Sequence, residues 1–267
     1  MKKWLKITLI AVFAVLSIGL LVMSLAKAKK RILDEPKIVI HVEGGEAFLN
    51  RQELFNRIVR LHLFHDKMES SELKIGEIES EIRKMEEVKT VRVFKYLGGK
   101  WKIEVELRKP IARIFATSGD SYYLDSEGFT ISKSDLHTAR VLVFSGHINE
   151  NLRLQNTQVI INNDSLKNIK KLDDMYRISN YVCTDPILHP LIGQVYLEKD
   201  GDFVLIPLIG DQKIVFGTAY SDEQVREKFE RLKIFYKEGL PYEGWEKYSE
   251  INLKYDGQIV CRKRVGK

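Results

Sequence analysis

Val88–Leu107 reads VKTVRVFKYLGGKWKIEVEL, and the fold of the first half of the chain follows from it. Two alternating runs, Val88–Tyr96 and Lys100–Leu107, flank Leu97-Gly98-Gly99, and a Gly-Gly pair between such runs predicts a β-hairpin. Upstream, Ile75, Ile78, Ile82 and Met85 form an apolar stripe at helical spacing, which predicts a helix ending near Glu87. Before that, Asn50 and Glu53 form a capping-box pattern. Leu54, Ile58 and Leu61 follow it at helical spacing, so a helix is expected over Arg51–Leu63. Further out, Lys37–Glu43 (KIVIHVE) alternates as a half-buried strand closed by a Gly44-Gly45 turn. Residues 37–107 therefore read strand, helix, helix, strand, strand: a three-stranded sheet covered by two helices.

Ahead of this unit, Ile7–Ala26 (ITLIAVFAVLSIGLLVMSLA) holds twenty residues without a charge. As a helix it spans about 30 Å, enough to cross a bilayer. Basic Lys2, Lys3 and Lys6 together with Ala26-Lys27-Ala28 also fit a cleaved signal peptide. The run exceeds the usual signal core of roughly 7 to 15 residues, however, and an uncleaved anchor is the expectation. Basic residues flank the segment almost equally, so charge leaves its orientation open. The anchor also accounts for the charge of the whole chain. Its formal charge is +6, yet residues 1–31 hold seven bases and no acid, and Arg262, Lys263, Arg264 and Lys267 add four more at the far end. The body between is mildly acidic, which argues against nucleic-acid binding, since such proteins carry their basic residues on the folded domain.

Beyond Leu107, Arg108-Lys109-Pro110 marks a break, because proline disfavours a central strand. Short strand-like runs follow: Ile111–Ala116, Ser121–Leu124, Phe129–Ser132, Arg140–Phe144, Gln158–Ile161, Gln194–Leu197, Phe203–Pro207 and Lys213–Phe216. Turn residues such as Asp125-Ser126-Glu127-Gly128 and Lys199-Asp200-Gly201-Asp202 separate several of them. Two helices interrupt the series, Ser165–Asn180 and Asp222–Glu238. The second carries a Ser221/Gln224 capping pattern, with Gly239 as its stop and Pro241 blocking continuation. The expected class is α+β: a transmembrane helix, a small β-α-α-β-β domain, and a β-rich domain with a long mixed sheet and two helices.

Motifs for catalysis are absent from the sequence. It has no glycine-rich nucleotide loop, no H-E-x-x-H and no G-x-S-x-G. His62 and His65 have ligand-like spacing but no third ligand nearby, and read as a solvated helix end. Asp173-Asp174 sits in a helix, and Asp200/Asp202 is explained by turn formation. Tyr122-Tyr123, Trp101 and Trp245 read as core or hairpin packing. Cys183 and Cys261 are too few for a disulfide scaffold or a four-cysteine zinc site; they leave room for one disulfide. No cofactor, metal, nucleic acid or small-molecule substrate is expected. One segment does suggest recognition: Ser249–Arg264 (SEINLKYDGQIVCRKR) alternates on both sides of Asp256-Gly257. It reads as a C-terminal strand, and such a strand at a sheet edge either completes the sheet or offers unpaired backbone groups to another chain.

In this order the features resemble the bacterial cell-division family FtsQ, called DivIB in Gram-positive bacteria. Arg108-Lys109-Pro110-Ile111-Ala112 is similar to the family's R-x-P-x-A junction, and Tyr123-Leu124-Asp125-Ser126-Glu127-Gly128 to its V-D-x-x-G turn. Ile251-Asn252-Leu253-Lys254-Tyr255 is similar to its V-D-L-R-Y strand. The chain departs from the pattern at Leu107, where Glu is frequent, at Asn252, where Asp is frequent, and in lacking a proline in Val141–Gly146. The resemblance implies residues 1–6 as a cytoplasmic tail, 7–26 as the membrane helix, 37–107 as a POTRA-like domain, 108–261 as the β-domain and 262–267 as a basic tail. It further implies a non-enzymatic, single-pass type II scaffold of the divisome in the inner membrane at the septum. That scaffold links early and late division proteins and receives a strand from FtsB- or FtsL-like single-pass partners. By that analogy Tyr255, Gln258, Ile259 and Val260 are the partner-binding residues. The competing expectations are an extracytoplasmic cell-wall enzyme and a POTRA-bearing transport or assembly factor.

Overall fold

The computed structural model describes residues 2–43, 47–134, 137–149, 157 and 171–264, which form two compact units, 1–107 and 108–267. The Gly44-Gly45 turn, the Gln158–Ile161 run and the Ser165–Lys170 start of the expected helix lie outside the described residues.

In the first unit α1 (Lys2–Lys29) contains the apolar segment, and its Ile7–Lys29 stretch is long and apolar enough to cross a membrane. The β-α-α-β-β order follows: β1 (Lys37–His41), α2 (Arg51–Arg60), α3 (Ile75–Arg83), β2 (Val88–Lys95) and β3 (Trp101–Leu107). The predicted hairpin forms, with Val91 opposite Val105 and Val93 opposite Ile103. β3 is central because β1 joins its other side in parallel, giving the order β1-β3-β2. Its alternation is therefore used fully, and Trp101, Ile103, Val105 and Leu107 are all buried against Leu54 and Ile58 of α2 and Ile78 and Ile82 of α3. The Asn50 cap is present, its side chain accepting the Glu53 N–H at 2.8 Å. α2 stops at Arg60 rather than Leu63, since His62 takes a left-handed φ of 57° and turns Leu63 and Phe64 into the core. α3 likewise ends four residues before Glu87, where a turn bonded from Val88 N–H to Met85 C=O feeds β2.

The second unit is built on nine strands: β4 (Pro110–Phe115), β5 (Ser121–Asp125), β6 (Thr130–Ser132), β7 (Leu142–Gly146), β8 (Ile192–Leu197), β9 (Phe203–Pro207), β10 (Lys213–Gly217), β11 (Tyr248–Asn252) and β12 (Val260–Lys263). They form one mixed sheet in the order β12-β11-β10-β9-β8-β7-β4-β5-β6. Pro110 opens β4 at the strand's first position, where its missing N–H costs nothing. Two helices pack on this sheet, α4 (Leu172–Thr184) through Leu172, Met175, Ile178 and Val182, and α6 (Asp222–Ile234) through Val225, Phe229 and Leu232. A four-residue turn of helix between them, α5 (Leu188–Leu191), was not expected; Asp185 starts it by accepting the N–H groups of Ile187 and Leu188, both at 2.9 Å.

One expectation about α6 needs correcting. The Ser221 cap is present, accepting the Gln224 N–H at 3.2 Å, but Gly239 does not end the helical path. The backbone widens into a π turn over Phe235–Gly239 and continues as α7 (Leu240–Glu243), with Pro241 in its first turn. Pro241 follows the Leu240 N–H to Phe235 C=O bond that closes the π turn, and its fixed φ suits the helical backbone of α7. The stop is Gly244, at φ 93°.

The open edge of the long sheet as candidate functional site

Leu253 donates its N–H to Val215 of β10 at 2.8 Å, so alternation along β11 turns the N–H groups of Glu250 and Asn252 toward β12. Those residues face Arg262 and Val260. Arg264 N–H reaches Lys247 C=O at 2.9 Å, in the same phase. The backbone groups of Cys261 and Lys263 therefore point away from the sheet. Side chains follow the same alternation: Ile259 and Cys261 pack against the core, while Val260 is 44% exposed. A single bulge, at residues 248–250, interrupts this ladder. Among the described residues, the result is a short outer strand with an unpaired hydrogen-bonding side, the chemistry that accepts an added strand.

The turn before β12 is braced from α6. Arg231 donates to the carbonyls of Tyr255 at 2.5 Å, Gln258 at 3.0 Å and Leu253 at 3.5 Å. Lys254 adds an ion pair to Asp202, and Arg264 pairs with Asp211 beyond the strand's other end. Beneath this half of the sheet Lys228 is only 2% exposed and donates to the carbonyls of Phe216 (2.9 Å) and Thr218 (2.7 Å). Burial pushes its ammonium down to about 8, and the neighbouring Arg231 charge adds to that shift.

Of the residues expected to bind a partner, Val260 opens β12, Ile259 packs inward just before it, and Tyr255 and Gln258 sit exposed in the braced turn. Sequence reasoning missed Arg231, whose contacts lie 22 to 27 residues away along the chain. It also missed Cys261 and Lys263, whose outward backbone follows from the alternation only once the pairing with β11 is known.

The other candidates fall elsewhere. His62 and His65 are exposed beyond α2, with His65 3.4 Å from Glu72, and no group of acids, histidines and cysteines among the described residues is arranged to hold a metal. Asp173 and Asp174 are buried beside Arg177, each 3.1 Å from it; burial lifts Asp174 to about 6 although Lys171 opposes the shift. Asp200 accepts the Asp202 N–H within a turn. Trp101 is core, donating to the Asp34 carbonyl at 2.8 Å, Tyr122 and Tyr123 are buried, and Trp245 lies edge-on to Tyr236. Cys183 and Cys261 are both free thiols, and burial raises that of Cys261.

At the opposite end of the sheet, the two motifs around residues 108–112 and 123–128 form one structure. Arg108 pairs with buried Asp125 at 2.8 Å and lies 4.1 Å over the Phe129 ring. Asp125 also accepts the N–H groups of Glu127 (2.9 Å) and Phe129 (2.6 Å). Gly128, at φ 83°, lets Thr157 approach so closely that a Cβ there would lie 2.0 Å from its hydroxyl. Residues 109–262, from just before β4 into β12, match the family model described as FtsQ/DivIB, C-terminal related. The chain belongs to the FtsQ/DivIB family. The match thus takes in the nine-stranded sheet from one edge to the other, and with it a role in cell division. None of the curated proteins compared with the chain matches it.

Proposed function

We propose that this FtsQ/DivIB-family chain is a non-enzymatic scaffold of the divisome, held at the septum by α1 as a type II inner-membrane protein. Residues 1–6 are its cytoplasmic tail, 7–26 its membrane helix and 262–267 a basic tail. Residues 37–107 are a POTRA-like docking domain outside the cytoplasm, and 108–261 a β-domain that receives a strand from an FtsB- or FtsL-like partner. One observation carries the reading: the outermost strand of the long sheet turns the backbone groups of Cys261 and Lys263 outward, next to a turn fixed by Arg231. The family supplies the cell-division context. Depletion of the protein in its host, followed by microscopy, tests it. Filaments without septa are expected, rescued by the full chain and not by Lys263→Pro. Normal septation on depletion would overturn the scaffold role, and full rescue by Lys263→Pro would overturn strand addition.

A further inference from the structure

The chain that leaves α1 does not hang free of the first unit. Ser71 N–H bonds to Lys29 C=O (3.0 Å), Ser70 N–H to Arg31 C=O (2.8 Å), and Leu33 N–H to Met68 C=O (2.9 Å). Asp34 N–H bonds to Gly99 C=O at 3.0 Å. The Leu97–Gly99 turn of the hairpin closes against this segment so tightly that a Cβ on Gly99 would lie 2.5 Å from the Ile32 carbonyl oxygen. The Gly-Gly pair therefore serves a second purpose besides turning the hairpin: it lets the exit segment pass.

Between the last turns of α1 and the hairpin turn lies a groove of about 660 Å³. Its lower wall is apolar, with Leu20 and Met23 of α1, and Leu97, 94% exposed, stands at the turn's tip. Its rim holds Lys27, Lys29, Arg31 and Lys95, and no acid is among the residues that line it. The distance from Leu20 to Lys29 along the helix is about 13 Å at 1.5 Å per residue. If α1 crosses a bilayer, its span places Lys29 at headgroup level and Leu20 among the acyl chains. Tyr96, 53% exposed beside Leu97, sits where aromatic side chains prefer the interface.

We propose that this groove holds an anionic phospholipid, its phosphate among Lys29, Arg31 and Lys95 and an acyl chain along Leu20, Met23 and Leu97. The proposal rests on α1 spanning a membrane. Cations gathered next to a membrane helix attract anionic headgroups, while exposed Leu97 and Tyr96 continue the apolar wall formed by Leu20, Met23 and Leu25, a contiguous patch of the kind that marks a membrane contact. The tight exit segment fixes this part of the first unit at the membrane surface rather than on a tether.

The test uses the full chain in nanodiscs of equal phosphatidylcholine and phosphatidylglycerol, with native mass spectrometry reading the lipid that stays bound after release. The wild type is expected to retain phosphatidylglycerol over phosphatidylcholine by about fivefold or more, roughly the worth of one juxtamembrane cation. The Lys29→Gln/Arg31→Gln/Lys95→Gln variant, in which the glutamine amide at position 95 can still donate to the Ser70 carbonyl that Lys95 bonds, is expected to lose that preference. Equal retention by the wild type, or an unchanged ratio in the variant, overturns the proposal. A nitroxide at Leu97→Cys, with Cys183 and Cys261 replaced by Ser, supplies an independent reading. It is expected to relax more with oxygen than with a water-soluble nickel complex, and the reverse order overturns insertion. A chain that cannot be incorporated into nanodiscs at all would instead overturn the membrane-spanning reading of α1.

Discussion

The two edges of the nine-stranded sheet are finished in opposite ways. At β6 the edge strand has three residues, of which Thr130 and Ile131 are buried, and the turn leading into it is locked by Arg108, Asp125 and Phe129. At β12 the strand is exposed along its outer side, and its turn is held by a helix on the sheet's face through Arg231. Native sheets usually blunt their edges, because an open one invites pairing. Both edges follow that rule in part: β6 is short and largely buried, while β12 is short, next to a bulge and carries Arg262 and Lys263, but keeps its outer side exposed. The two edge strands thus differ in what holds the turn before them: contacts within the sheet's own strands and turns at β6, and a helix packed on its face at β12.

Breaking the sealed edge gives the largest expected effect. Asp125→Ala leaves the Arg108 guanidinium with only the Glu127 carboxylate among the described residues, at 3.3 Å, and strands two backbone N–H groups at a buried site, and a cost of about 3 kcal/mol is expected in urea unfolding. Asp125→Asn, which keeps one acceptor, costs less.

In the open half, Lys228 sharpens the contrast through pH. Its folded pKa, about 8, lies below the unfolded value near 10.5, so the unfolded chain binds more protons between those pH values. Stability therefore rises with pH through that window, by on the order of 2 kcal/mol after solvent screening is allowed for. Lys228→Met flattens the rise. A stability curve that falls between pH 8 and 10.5 would show that the ammonium is not the group that matters.

Opening without unfolding is the next test. Lys263→Pro removes an outward N–H and leaves the β11–β12 ladder intact, so stability holds within about 0.5 kcal/mol. Affinity for a strand-donating partner, measured by titration, drops tenfold or more, about 1.4 kcal/mol. Val260→Pro is the matched control, since it removes a bond within the ladder and destabilises the hairpin itself. The smallest effect is expected at the brace. Arg231→Met frees the turn at residues 253–258 and costs about 1 kcal/mol in stability, with faster amide exchange confined to that turn, and Arg231→Lys recovers part of it.

Much of this contrast was written in local patterns. The hairpin at Val88–Leu107, the caps at Asn50 and Ser221 and the alternation of Ser249–Arg264 are short-range signals, and each produced the element expected. The sealed edge was only half visible: its two motifs could be quoted, but not that Arg108 and Asp125 meet, because that contact joins residues 17 apart through the fold. The helical path past Gly239 was misread since glycine and proline are local stop signals, and here a π turn absorbs them. The position of β12 was legible as a possibility. Which of its backbone groups face outward was not, because that phase is fixed by a bond from Leu253 to β10.

The parallel pairing of β10 with β11 has a further consequence, in time rather than space. β11 joins the sheet across a crossover that holds α6, the π turn and α7, and β12 joins it through β11. Such a crossover closes a long loop before any contact compensates it. The accessible edge is therefore only as complete as this crossover: until β11 has docked beside β10, Cys261 and Lys263 belong to a hairpin apart from the sheet rather than to its edge.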